Sequence, residues 1–150
     1  MKIYSGQFIA NHKIISVVEI NNQTKNKIDL ARLKRIAEIF LKSRHKAGHE
    51  LSVAIVGDAA MRKLNRAYRK IDKPTDVLSF TGEGKFFGEI ILDYNQIKKQ
   101  AKELNKSVKD ELVFILVHGL LHLEGYDDKV EKDRLKMIKL GEEFLENVKI

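Results

Sequence analysis

Apolar positions along this chain change period several times, and each change marks an element. Ile14 to Ile20 (Ile-Ile-Ser-Val-Val-Glu-Ile) is rich in β-branched residues and reads as a strand. The first dozen residues read as an edge strand or a loose arm, and Asn21 to Lys27 is polar and turn-like. Asp29 is an N-cap residue, and Leu30, Leu33, Ile36, Ala37, Phe40 and Leu41 then follow the helical period. That helix is predicted to run to about Lys46 and to end at Gly48. Leu51 to Val56 is almost continuously apolar, as a central strand covered on both faces would be. Asp58 is expected to cap a second helix with Met61, Leu64, Ala67 and Tyr68 inward. Pro74 disfavours helix at Lys73 and sends the chain out extended. Val77 to Phe80 is a short strand, Gly82 to Lys85 a hairpin turn, and Phe87 to Leu92 the returning strand.

The last third is helical. Ile97, Ala101 and Leu104 give helical spacing over Tyr94 to Leu104. Ser107 heads the next helix, with Asp110 three residues on in a capping-box arrangement. From Leu112 to Val117 that helix is apolar all round, the mark of a helix buried in the middle of a domain. A final amphipathic helix spans about Lys129 to Asn147, with Val130, Leu135, Ile138, Leu145 and Val148 on one side. The expected fold class is α+β. A small mixed β-sheet of about four strands packs with helices, and a central buried helix carries the chemistry. No linker or repeat divides residues 1–150, so one domain is expected.

Composition narrows the function classes. There is no cysteine, so any metal must be held by His, Asp or Glu. The N-terminus shows no signal-peptide apolar run and no stretch is long enough to span a bilayer, so a cytoplasmic, membrane-free protein is expected. The net charge is +7, from 28 Lys and Arg against 21 Asp and Glu, which suits a polyanionic partner.

Chemistry concentrates at the end of the buried helix, in His118-Gly119-Leu120-Leu121-His122-Leu123-Glu124-Gly125-Tyr126-Asp127-Asp128. Positions i and i+4 share a helix face, so His118 and His122 can hold one metal ion. Gly125 can end the helix in a left-handed turn and bring Asp128 back to the same point. Three ligands and an open position make a catalytic rather than a structural site. The spacing matches the metzincin peptidases, whose ligands run His-Glu-x-x-His-x-x-Gly-x-x-His. Their general base follows the first histidine, and here that position is Gly119. Loss of that carboxylate costs peptide hydrolysis roughly 10²–10⁴-fold.

The residues His118-Gly119-x-Leu121-His122-Leu123-x-Gly125-Tyr126-Asp127 resemble the signature of the YbeY family of metal-dependent endoribonucleases. A second block, Leu64-Asn65-x-x-Tyr68-Arg69-x-x-Asp72-x-Pro74-Thr75-Asp76-Val77-Leu78-Ser79-Phe80, resembles another stretch of that family, and Gly88-Glu89-Ile90-x-Leu92 resembles its following strand. The resemblance implies a single-strand-specific endoribonuclease acting on ribosomal RNA, in small-subunit 3′ end maturation and ribosome quality control. Its partners would be single-stranded RNA and the small ribosomal subunit, with no DNA. It implies one zinc ion held at positions 118, 122 and 128, and a catalytic arginine at Arg69 facing the metal across a groove. The family pattern usually has a third histidine where this chain has Asp128. A carboxylate can bind zinc, weakens its Lewis acidity and favours Mn²⁺ or Mg²⁺ somewhat more. Asp127 is the competing ligand, and its family role resembles an orienting partner for a histidine ring N–H.

Arg69 can clamp phosphate oxygens, or it can form an ordinary salt bridge to Asp72 or Asp76. Arg62, Arg66 and Lys73 are candidate RNA contacts near the entrance, and Tyr68, Phe86 or Phe87 are candidate stacking surfaces. Two other functions compete with the nuclease. One is a zincin-like peptidase or metal hydrolase, and the other is a ribosome assembly factor whose metal is mainly structural.

Overall fold

The computed structural model describes residues 17–148. The order is β1 (Val18–Asn22), α1 (Leu30–Ser43), β2 (Glu50–Val56), α2 (Asp58–Arg69), β3 (Val77–Thr81), β4 (Phe86–Asp93), α3 (Tyr94–Glu103), α4 (Val108–Glu124) and α5 (Glu131–Asn147). The four strands form one mixed sheet in the order β1-β2-β4-β3. β1, β2 and β4 run parallel, and β3 pairs antiparallel with β4 and forms an edge. Strand β2 is interior and buried from Leu51 to Val56, as its continuous apolar run requires. The α+β architecture with about four strands is the one the pattern predicted. No helix among the described residues is long and apolar enough to cross a membrane.

Each face of the sheet is covered. On one side Leu51, Val53, Ile55, Ile90 and Leu92 pack against Ile36, Phe40, Leu116, Val117 and Leu120 of α1 and α4. On the other, Ala54, Val56, Leu78 and Ile91 pack against Met61 and Leu64 of α2. Helix α4 lies in the larger layer, with Leu116, Val117, Leu120 and Leu121 completely buried. Ser107 caps its start by accepting from the Asp110 N–H at 3.1 Å.

Several boundaries and faces differ from expectation. The described part of β1 begins at Val18 and continues to Asn22, two residues past Ile20. Ile14 to Ser16, and any edge strand in the first dozen residues, fall outside the described residues. Helix α1 ends at Ser43, short of Lys46, because the chain turns left-handed at His45 (φ 57°) before it reaches Gly48. Gly57, not Asp58, occupies the N-cap position of α2. Asp58 instead accepts from Asn95 Nδ2 (2.6 Å) and Gln96 Nε2 (2.9 Å) of α3. Ala67 and Tyr68 are outward, and Asn65 takes the inward position. Its amide donates to the Lys73 carbonyl at 2.8 Å and so anchors the exit loop. Tyr68 packs edge-on against Phe80 of the edge strand and stays 38% exposed.

Helix α5 meets the core with only part of the face its apolar residues suggested, and Leu145 packs inward as expected. Val130 and Leu135 are more than half exposed, while Met137 and Gly141 are buried and Leu140, Phe144 and Leu145 pack on the core. Gly141 decides this phase. A β-carbon there would stand 3.3 Å from the Phe114 ring, so the glycine lets α5 seat closely on α4.

Asp93 joins the sheet to α3. One oxygen caps α3, accepting from the Asn95 and Gln96 N–H groups at 3.0 and 3.3 Å. The other is buried and has no donor unless Asp93 itself carries a proton toward Asp58. Burial, with the Asp58 contact and charge added, raises Asp93 to about 7. The hydrogen bond from Asp93 holds Asp58 below the ordinary carboxylate range. A raised native pKa means that the folded state binds the extra proton between about pH 4 and 7. This contribution therefore falls as pH rises through that window. Asp93→Asn keeps the cap and supplies a permanent donor to Asp58. Its stability relative to wild type should grow from pH 4.5 to 7.5 in urea unfolding, by on the order of 1 kcal/mol or more. Parallel pH curves for the two proteins would refute the shared proton.

Candidate metal centre

The end of α4 is built by its own sequence. Gly125 adopts φ 110°, and its N–H donates to the His122 carbonyl at 3.0 Å while the Tyr126 N–H donates to Leu121 at 3.1 Å. This is a Schellman ending, which reverses the chain just past the second histidine. Asp128 is thereby brought back over the helix. His118 Nε2 lies 3.1 Å from Asp128 Oδ2, and His122 Nε2 lies 3.3 Å from the same oxygen. All three ligand atoms fall within 4.8 Å of one another.

These distances fit a cation. Ligands about 2.0–2.1 Å from a tetrahedral zinc stand about 3.3–3.4 Å apart. The tautomer of His122 fits as well. Its Nδ1 lies 3.1 Å from the Tyr126 carbonyl, which can only accept, so Nδ1 carries the proton and the Nε2 lone pair faces Asp128. An imidazole lone pair turned toward a carboxylate oxygen calls for a positive charge between them. Without a metal, burial pushes the Asp128 carboxyl up, but the hydrogen bond from His118 and the charges that His122 and His118 carry when protonated outweigh it and hold it below its usual range; a bound cation would take the place of those protons. The cluster His118, His122 and Asp128 can hold a metal ion.

Asp127 lies one residue away and does something else. Its Oδ1 accepts from the Lys129 N–H at 2.8 Å, which shapes the loop. The ring N–H partner expected of Asp127 is, for His122, the main chain of Tyr126. Asp127→Ala should keep metal stoichiometry near wild type and Asp128→Ala should lower it. Measuring zinc content of both variants after dialysis checks this, and the opposite pattern would transfer the ligand to Asp127.

A cleft of about 420 Å³ opens over the cluster, lined by Arg69, Thr75, Asp76, Val77, Leu78, Ser79, His118, His122 and Asp128. Arg69 thus shares the cleft with the two histidines. It makes no ion pair among the described residues, because Asp72 is taken by Arg62 in a two-pronged bond (2.9 and 3.1 Å) and approached by Arg66 at 3.7 Å. Asp76 accepts from Gln100 Nε2 at 3.1 Å instead. Arg62, Arg66 and Lys73 do not line the cleft, although Lys73 shares its loop. Tyr68 packs on Phe80, and Phe86 and Phe87 line a separate recess. Sequence reasoning did not single out Thr75, Asp76 or Ser79 for the site, although all lie in the Leu64–Phe80 block; nor did it find the Tyr126 carbonyl.

Gly119 faces the sheet rather than the metal. A β-carbon there would stand 3.1 Å from Ile90 and 3.3 Å from Ser79 Oγ, which itself donates to the Gly119 carbonyl at 3.2 Å. A larger residue at this position would press on Ile90 and Ser79, which would have to give by a few tenths of an ångström. The arrangement lacks the peptidase base at position 119.

Comparison with known proteins agrees with this geometry. The family model described as Endoribonuclease YbeY matches residues 19–149. An Endoribonuclease YbeY of Aquifex aeolicus is 36% identical over 126 residues, covering 81% of this chain and 84% of that protein. One of Myxococcus xanthus is 39% identical over 126 residues, covering 78% of this chain but 43% of that protein. The solution structure of TM1509 from Thermotoga maritima matches with a TM-score of 0.65 at 29% identity, covering 86% of this chain and 87% of the other.

Proposed function

The chain belongs to the YbeY family of endoribonucleases, enzymes that cut RNA, and from that premise we propose a zinc-dependent, single-strand-specific nuclease of ribosomal RNA. The proposed task is 3′ end maturation of small-subunit RNA and ribosome quality control, carried out in the cytoplasm by one domain in contact with the small subunit. The observation that carries this reading is the convergence of His118, His122 and Asp128 in one cleft with Arg69, which makes no ion pair among the described residues. Zinc bound there would supply Lewis acidity and a water of lowered pKa. Asp128 in place of a third histidine tempers that acidity and leaves room for Mn²⁺.

The chain's own groups do the rest. His118 and His122 present Nε2 from one helix face, and the Tyr126 carbonyl keeps the His122 ring from turning. Arg69 offers a planar fork that matches two phosphate oxygens and stabilises charge gained in the transition state. Lys73, on the loop between Arg69 and Thr75, and Arg62 and Arg66 on α2 add positive potential that draws in the RNA strand.

The test is cleavage of single-stranded and duplex RNA carrying the 3′ region of small-subunit RNA, with and without chelator, and with casein as a second substrate. Chelator-sensitive cleavage of single strands alone, restored by zinc, is the expected result. Casein cleavage would revive the peptidase. Co-sedimentation with ribosomes without any RNA cleavage would make the chain an assembly factor.

A further inference from the structure

The sheet register shows which main-chain atoms run on from the cleft along β3. The Asp76 carbonyl accepts from the Asp93 N–H, and the Gly82 N–H donates to the Phe87 carbonyl. With Leu78 opposite Ile91 and Phe80 opposite Glu89, those are the bonded pairs of the β3–β4 ladder. Val77, Ser79 and Thr81 hold the alternate positions, so their N–H and C=O groups point away from β4. No described residue bonds to these main-chain groups. Among the described residues, the outer edge of β3 therefore offers a row of donor and acceptor pairs that begins at Val77 and Ser79, which line the cleft.

That row leads to a second recess, about 280 Å³, between the β3–β4 turn and the end of α4. Ser79 lines the cleft and Thr81, on the same face two residues on, lines the recess. His122 lines the cleft and its neighbour in sequence, Leu123, lines the recess, so the end of α4 borders both. Arg44 and Lys46 bring positive charge to it from the α1–β2 connection, His49 adds an imidazole, and Phe87 adds a half-buried ring. Glu124 neutralises Arg44 at 2.8 Å, while Lys46 is exposed and makes no ion pair among the described residues.

We propose that this recess is a second RNA subsite. A single strand leaves the metal along β3, with base edges bonded to the main chain of Ser79 and Thr81. A nucleotide a few positions from the scissile bond then sets its phosphate on Lys46 and His49 and its base on Phe87. An extended peptide would use the same free edge. The basic recess at its far end and the +7 net charge favour a polyanion. This subsite rests on the nuclease reading, yet it is tested by binding alone.

The probe is a fluorescent single-stranded 2′-O-methyl oligonucleotide of about nine residues, checked on a gel to remain uncut. Its anisotropy is titrated with the zinc-loaded chain across a series of salt concentrations. Lys46→Ala should bind about 5- to 10-fold more weakly at low salt, and each lost phosphate contact should lower the slope of log K against log salt by about 0.7. Lys139→Ala, an exposed change on α5, should match wild type in both. Equal affinity and slope for Lys46→Ala and wild type would overturn the subsite and leave the β3 edge to a peptide. Failure of the cleavage assay with the Lys46 difference intact would remove the nuclease mechanism and not the subsite.

Discussion

His118→Ala is expected to abolish stoichiometric metal binding and to lower RNA cleavage by on the order of 10³-fold or more. Two of the three ligand atoms remain, His122 Nε2 and the Asp128 oxygen 3.3 Å from it. Two ligands do not fill a site that needs three and an open position. A catalytic metal contributes several kcal/mol of charge stabilisation, and each 1.36 kcal/mol is tenfold in rate. The fold should survive, because alanine is the strongest helix former and α4 is held by Leu116, Val117, Leu120 and Leu121. Zinc content, cleavage rate and thermal midpoint on the same preparation read this out. A variant with normal metal content would mean that His118 is not a ligand.

Arg69→Lys is expected to keep metal content and melting temperature and to lose about 10²–10³-fold in cleavage. Arg69 is exposed and lines the cleft, and no described residue pairs with it, so its removal breaks no structural bond. Lysine preserves the charge but not the fork, and loss of one preorganised donor to a transition-state oxygen is worth roughly that factor. A structural arginine would give a different signature, a lowered midpoint with little change in kcat. Wild-type kcat in Arg69→Lys would take the residue out of the mechanism.

The legible parts of the site share a cause. His118 and His122 lie one turn apart on a run apolar all round, and Gly125 supplies the left-handed residue that a Schellman ending needs. Each is a short-range relation, so the return of Asp128 to the histidines could be reasoned from spacing. The block from Leu64 to Phe80 pointed to Arg69 only through its likeness to a family. Periodicity could not say that Asp72 would be claimed by Arg62, leaving Arg69 without an ion-pair partner among the described residues. Helix α5 shows the opposite case. Its large apolar residues Val130 and Leu135 suggested a face, yet the contact surface runs through Gly141, whose value lies in the side chain it lacks.

What the sequence by itself determined was therefore local: strand and helix periods, the cap at Ser107, the stop at Gly125, and two imidazoles on one face with an acid following at fixed distance. Those depend on dihedral preferences and on neighbours within about a turn, which any stretch carries with it. The tertiary structure alone decided the strand order that puts β3 at the edge of the described sheet, and the close approach of Ile90 and Ser79 to Gly119. It also decided the pairing of Asp93 with Asp58 and the recess that gathers Arg44, Lys46 and His49. Each of these joins residues far apart in the chain. They come together only when apolar burial has packed the sheet against α2 and α4, so no local pattern could record them.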